Sequence, residues 1–210
     1  MTRILITGAN GLLGQMLVHK ILSMPDLQLL ATSASFCKIK NLHASCYSLM
    51  DITSPQQVKD VFSRFKPEVV IHCAAITQVD LCEQDPDRCD RVNIEGTRLI
   101  AKAAENYGAR LIYLSTDFVF DGLNGPYAEE DQPNPISIYG WSKLQGEYIT
   151  RSLNVPWTIV RTVLLYGMVP SMTRDNLLTW VRNSLVKGQP IQVVDDQFRT
   201  PTLVDDLADG

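Results

Sequence analysis

Tyr139 and Lys143 have the types and spacing to make a proton donor. Tyr139 and Lys143 are four residues apart, so on a helix they project from one face and a phenol and an ammonium converge on one small volume. Free tyrosine titrates near ~10; a neighbouring cation stabilises the phenolate and brings proton transfer closer to neutral pH. Tyr-x-x-x-Lys by itself also describes a surface helix carrying an aromatic residue and a lysine, so its meaning depends on its surroundings. Thr116 sits in Ser115-Thr116-Asp117, just after the apolar run Ala109–Leu114. Its hydroxyl either binds a carbonyl substrate or marks an ordinary strand end.

The elements that must position these groups begin at the N-terminus. Arg3-Ile4-Leu5-Ile6-Thr7 is a short apolar run rich in β-branched residues, of the kind that forms a strand buried on both faces. Gly8-Ala9-Asn10-Gly11-Leu12-Leu13-Gly14 follows at once and passes into residues 15–22, whose apolar positions recur at helical spacing. Strand, glycine turn and helix in this order predict a dinucleotide site rather than a mere tight turn. Missing side chains let backbone amides approach a pyrophosphate, and the helix N-terminus offers unpaired N–H groups and positive dipole. Gly8, Asn10, Gly11, Leu12, Leu13 and Gly14 are the expected contacts.

A second strand is expected over Leu27–Thr32. No carboxylate follows where an NAD site uses one to grip the adenosine ribose; the chain reads Thr32-Ser33-Ala34-Ser35-Phe36, with Lys38 and Lys40 after it. This favours NADP, with Ser33, Lys38 or Lys40 meeting the 2′-phosphate, unless both lysines belong to a solvated loop. A third strand over 44–48 brings Asp51 and Ile52 to the cofactor edge, where Asp51 touches adenine or simply closes a turn. Ser54, Pro55 and Gln57 spell a capped helix through about Phe65.

The fourth strand, 68–75, ends in Ala74 and Ala75, whose small side chains leave room for the cofactor; His72 and Cys73 within it read as core. A polar stretch leads to a helix over 93–107, stopped by Gly108. The fifth strand then delivers Thr116. Residues 118–135 form a long loop, since their glycines, prolines and acids deny them regular structure. The Tyr139 helix runs to about Ser152. A sixth strand (155–162), a helix (176–186), a short strand (191–194) and a helix start (202–205) complete the chain. The expected fold is α/β, a Rossmann-type doubly wound parallel sheet over residues 1–165 with a small substrate lobe, 166–210, that reads as truncated.

Composition narrows the classes. A 45% hydrophobic content supports a sizeable core, and a net charge of −4 without runs of like charge excludes a phosphate-backbone partner. No apolar span of about 18 residues exists to cross a membrane, so a cytoplasmic protein is expected. The odd count of five cysteines has no Cys-x-x-Cys pair, and the three histidines are scattered. Reduced thiols and no metal are expected.

Thr7-Gly8-x-x-Gly11-x-x-Gly14, Ser115-Thr116-Asp117-Phe118-Val119-Phe120-Asp121-Gly122, Tyr139-Gly140-x-Ser142-Lys143-x-x-Gly146-Glu147 and Asp196-Gln197-x-x-x-Pro201-Thr202 occur in order along nearly the whole chain. Together they resemble the extended short-chain dehydrogenase/reductases, and within them the dTDP-4-dehydrorhamnose reductase branch. The resemblance implies NADPH as cofactor, with NADH second, and a 4-keto-6-deoxy nucleotide-sugar as substrate. It makes Thr116, helped by Ser115, the binder of the keto oxygen and Tyr139 the proton donor. Lys143 becomes the residue that holds the nicotinamide ribose and lowers the tyrosine pKa, and Asn93 is implied to support this group and to count among the cofactor contacts. Thr77, Val79, Asp117 and Phe118 are implied near the sugar. Arg199 stands where the family commonly has glycine, either to pair with a diphosphate or to face solvent. Homodimers are common among such relatives.

Two other readings stay open. The β subunit of methionine adenosyltransferase resembles the same branch and serves as a partner of an enzyme. Epimerases and dehydratases share the superfamily, and dehydratases carry an acid where Asp117 stands. In titrations of the purified protein NADPH is expected to bind more tightly than NADH; equal or reversed affinity would remove the NADP reading.

Overall fold

The computed structural model describes residues 1–172 and 175–210. Six parallel strands, β1 (Thr2–Thr7), β2 (Leu27–Ser33), β3 (Tyr47–Leu49), β4 (Val69–His72), β5 (Arg110–Thr116) and β6 (Trp157–Thr162), lie in the order β3-β2-β1-β4-β5-β6. Alternation along the strands sends side chains to two cores. Ile4, Ile6, Leu29 and Ala31 face helix α1 (Leu12–Leu22), while Leu5, Leu30 and Leu111 face α2 (Pro55–Phe65) and α5 (Thr97–Asn106) on the other side. Strand order reverses at β1, so the crevice between the carboxyl ends of β1 and β4 is where a doubly wound sheet binds ligands.

The structure departs from the expected elements in places that have local causes. The third strand is shorter than expected: Ala44–Cys46 form a 3₁₀ turn, held because the His43 ring accepts the Ser45 N–H at 3.3 Å, and β3 starts only at Tyr47. Ser54 caps α2 as expected, but the Gln57 side chain bonds the Asp51 N–H at 2.8 Å rather than closing the box on Ser54. The polar stretch before Asn93 contains two short helices, α3 (Val79–Gln84) and α4 (Pro86–Asp90), the second capped by Asp85 with Pro86 at its first position. Arg91–Gly96 is a π-helical turn rather than the start of an α-helix. Asn93 lies in it and is pulled toward neighbouring backbone, the kind of insertion that widens a helix.

Helix α6 (Ile138–Arg151) carries Tyr139 and Lys143 and packs on β5 and β6. Its approach to β5 is unusually close at Gly146, where a Cβ would lie 2.0 Å from the Tyr113 hydroxyl oxygen. That hydroxyl donates to the Lys143 carbonyl at 3.2 Å. One residue further along α6, the Glu147 carboxylate is buried and takes the Arg161 guanidinium in a fork, at 2.9 Å and 2.8 Å, and the Ser115 hydroxyl at 2.6 Å. Burial alone raises its pKa; the hydrogen bonds from Arg161 and Ser115 outweigh burial and hold the carboxyl below its ordinary range.

Beyond β6, β7 (Leu165–Tyr166) pairs in parallel with β8 (Thr202–Leu203), and α7 (Leu177–Val186) lies between them in sequence. Residues 191–194 are irregular rather than a strand, with Val193 and Val194 exposed and no neighbouring strand to pair with among the described residues. The terminal helix α8 (Val204–Asp209) has only six residues, a length that is marginal alone. Packing supports it: Val204 is fully buried, and Lys20 of α1 pairs with Asp209.

Glu147→Ala leaves Arg161 without its partner in a half-buried site and is expected to cost about 3–5 kcal/mol in urea unfolding. Because the folded pKa of Glu147 is depressed, this contribution is complete above the ordinary carboxylate range. It is lost as pH falls through the folded value. A loss under about 1 kcal/mol would show that the pair does not hold α6 to the sheet.

Candidate active site

A cleft of about 1570 Å³ runs along the carboxyl ends of β1, β4 and β5. At one end lies the glycine turn. Gly8 has φ of +68°, and a Cβ there would sit 2.6 Å from the Ala74 amide nitrogen, so only glycine lets the β1 and β4 ends approach. Helix α1 begins after Gly11, which places no side chain over its first-turn amides, and no acid lies in that turn. The amides and dipole are therefore free to meet an anion.

Gly11, Leu12, Leu13 and Gly14 line this end, with Ala74 and Ala75 across from them, and Thr77 also lines the cleft. Asn10 also lines it and has a second task. Its amide donates to Ser33 Oγ (3.0 Å) and the Phe36 carbonyl (2.9 Å), and its oxygen accepts the Lys38 N–H (2.9 Å). One side chain thus shapes the loop that brings Ser33 and Lys38 to the cleft. Asp51 and Ile52 reach the cleft too, with the Asp51 carboxylate folded onto Thr53 N and Oγ1 at 2.9 Å and 2.8 Å. Both contested roles of Asp51 are compatible with that turn.

At the other end Thr116, Tyr139 and Lys143 meet, with Asp117, Phe118 and Arg199 beside them. Tyr139 is 7% exposed, edge-on to Phe118 (5.6 Å between centroids) and packed over Cys82 and Cys89. Burial pushes its phenol up to about 12, the Thr116 hydroxyl pulls it down, and the Asp117 carboxylate adds to the rise. The expected acidification of Tyr139 by Lys143 is therefore not what the structure has. The Lys143 ammonium stands 4.2 Å over the ring of Tyr113 instead, and burial lowers it to about 8. Desolvation at the phenol decides the sign.

His72 is core, as its apolar neighbours predict: its ring nitrogens meet Thr7 Oγ1 (2.7 Å) and Thr97 Oγ1 (3.0 Å), and burial, then the Lys143 charge, lowers it to about 3.

Other assignments change. Ser115 does not help Thr116, because its hydroxyl donates to Glu147. Asn93 does not line the cleft: its amide clasps the Ile76 backbone at 2.8 Å and 3.0 Å and donates to Ser142 Oγ at 3.0 Å, tying the loop after β4 to α6. Val79 starts α3 and packs into the Cys82, Cys89 and Tyr139 cluster rather than the cleft. Arg199 is exposed but does not stand free, since it pairs with Asp117 at 2.6 Å and stacks on Phe118.

Sequence reasoning missed Glu147, although it lies four residues beyond Lys143 on the same helical face. It also missed Arg88 and Arg91 on the rim, which no pattern marked because α3 and α4 were not foreseen. All five cysteines are free thiols. Among the described residues no three His, Cys, Asp or Glu side chains gather to hold a metal, and no helix is long and apolar enough to cross a membrane.

Residues 1–210 match the family described as RmlD substrate binding domain. Methionine adenosyltransferase 2 subunit beta from Bos taurus is 34% identical over 206 residues, 98% of this chain and 60% of that protein. Among solved structures, a dTDP-4-dehydrorhamnose reductase from Clostridium acetobutylicum superposes with a TM-score of 0.83 at 38% identity, over 99% of this chain and 68% of that one. The same enzyme from Bacillus anthracis, in complex with NADP, gives a TM-score of 0.79 at 35% identity, over 99% and 68%. The chain spans about 60% of the length of the first curated relatives it matches.

Carbon-13 NMR of the lysine ε positions, with Lys143→Met to assign the signal, is expected to show Lys143 titrating near 8. A midpoint near the ordinary lysine value of about 10.4 would mean that the ammonium is hydrated rather than buried on Tyr113.

Proposed function

The chain belongs to the family described as RmlD substrate binding domain, and from that premise we propose that it binds NADPH, with NADH second, and reduces the keto group of a 4-keto-6-deoxy nucleotide-sugar. The observation that carries this reading is the convergence of Thr116, Tyr139 and Lys143 at one end of a cleft whose other end is a glycine turn opening a helix. The cradle fits a dinucleotide, because a Cβ on Gly8 would fill the gap to Ala74 and the first-turn amides of α1 are uncovered.

The dinucleotide, when bound, supplies hydride. The rest falls to this chain. The glycine turn receives the pyrophosphate, Ser33 and Lys38 meet the 2′-phosphate, and Asp51, Ile52, Ala74 and Ala75 flank the adenosine and nicotinamide halves. Lys143 holds the nicotinamide ribose. Thr116 now donates to Asp117 at 3.1 Å and must turn that proton to a keto oxygen to bind it. The Tyr139 phenol, pushed up to about 12, keeps its proton at neutral pH and passes it to the developing alkoxide, a much stronger base. A donor aimed at a nascent oxyanion acts most in the transition state, where it lowers the barrier. Thr77, Asp117, Phe118 and Arg199 are placed on the sugar side. Asn93 and Val79 support the site from behind it.

In the same proposal residues 1–165 hold the dinucleotide and 166–210 contribute part of the sugar lobe. The chain works in the cytoplasm on a dissolved nucleotide-sugar, as a homodimer, without nucleic acid or membrane.

A second reading is favoured by one comparison, the likeness at 34% identity to a protein named as a subunit of methionine adenosyltransferase. On it the chain binds NADP and serves as an enzyme's partner without turnover. A dehydratase reading is weaker here, since both oxygens of Asp117 are engaged, one by Arg199 and one by Thr116.

One assay separates the classes. Oxidation of NADPH with dTDP-4-keto-6-deoxy-mannose is expected from the wild-type protein, and Tyr139→Phe is expected to slow it by about 10²–10⁴-fold. NADPH binding without substrate-dependent oxidation, together with a changed rate when the chain is mixed with a methionine adenosyltransferase catalytic subunit, selects the second reading.

A further inference from the structure

Arg199 reaches the cleft from the irregular segment after α7, and its guanidinium meets two surfaces there. One nitrogen donates to Asp117 Oδ2 at 2.6 Å, and its central carbon stands 4.4 Å from the centroid of the Phe118 ring. Each contact leads on to a reacting group. Asp117 accepts the Thr116 hydroxyl through its other oxygen at 3.1 Å, and Phe118 meets Tyr139 edge-on. The guanidinium is thus one side chain away from both the hydroxyl and the phenol that act on a carbonyl.

Charge gives this placement its meaning. Among the described residues Arg199 is the one cation paired with Asp117. The nearby Lys143 ammonium is buried over Tyr113. Without Arg199 a carboxylate would face the substrate end of the cleft uncompensated, and it would repel an anion brought to Thr116. A guanidinium has five N–H donors in a rigid plane. Its bonds to Asp117 and, at 3.3 Å, to Gln197 Oε1 leave donors over. It can therefore keep the carboxylate and take a phosphate oxygen at the same time.

We propose that Arg199 is a specificity-determining residue: by neutralising Asp117 it turns the substrate end of the cleft from one that repels into one that accepts a carbonyl compound carrying a phosphate or diphosphate. The inference deepens the nucleotide-sugar reading and rests on it. It also makes the segment around Arg199 part of the site, held there by the Asp117 pair and the Phe118 stack.

The test is calorimetric titration of the 210-residue protein with thymidine diphosphate in the presence of NADP⁺, for wild type, Arg199→Gln, Asp117→Asn and the double variant. Arg199→Gln is expected to weaken thymidine diphosphate binding by about tenfold, while NADP⁺ affinity stays within about twofold. The double variant is expected to recover a large part of the loss, because the repelling carboxylate is gone. If Arg199 merely pins its own segment, the double variant binds no better than Arg199→Gln, and the inference is overturned. Equal binding by Arg199→Gln and wild type overturns it too, and leaves the reductase reading to stand or fall on the NADPH assay. A wild-type protein that oxidises NADPH with the keto-sugar yet shows no thymidine diphosphate binding overturns this inference alone; one that does neither overturns both.

Discussion

The close contact of α6 with β5 is the constraint on which the site depends. A strand end supplies Thr116 and a helix supplies Tyr139 and Lys143, and these act together only if the two backbones approach nearer than ordinary side chains allow. Gly146 removes the obstacle, and the Tyr113 hydroxyl fills the space, bonding back to the Lys143 carbonyl. The Lys143 ammonium then lies on the ring of the same tyrosine. Just beyond, Glu147 ties α6 to Ser115, the residue before Thr116, and to Arg161 on β6. Such a buried polar network is stable only when its members are satisfied, and here Ser115, Glu147 and Arg161 satisfy one another.

Charge in the cleft is handled by pairing and by burial, with different results. Glu147 and Arg161 are paired, and the carboxyl is held below its ordinary range. Tyr139 and Lys143 are buried without being paired to each other, so each moves toward its neutral form: the phenol up, the ammonium down. That arrangement keeps the phenol protonated at neutral pH, which suits an acid. Arg199 adds the remaining compensation, since it lies against the one carboxylate that pushes the phenol further up.

Two asparagines organise the cleft. A primary amide carries both donors and an acceptor, so a single buried Asn can bind a loop through its N–H groups and carbonyls at once. Asn10 does this for the loop that carries Ser33 and Lys38, and Asn93 for the chain after β4. Asn93 does so from within the π-helical turn.

Much of the architecture was legible in the residues themselves. Continuous apolar runs, the glycine turn and the Pro55 helix start depend on neighbours in sequence, and so local pattern determined the parallel sheet, the dinucleotide turn and the helix bearing Tyr139 and Lys143. Long-range contact decided the rest. Whether Asn93 touches a ligand or holds a loop depends on Ile76 and Ser142, 17 and 49 residues away. Whether Lys143 acidifies Tyr139 depends on Tyr113, which offers its ring to the ammonium from another element. The partner of Arg199 lies 82 residues back along the chain. Residue type and spacing state what a side chain is able to do; desolvation and the identity of the nearest charge, which only packing sets, decide what it does.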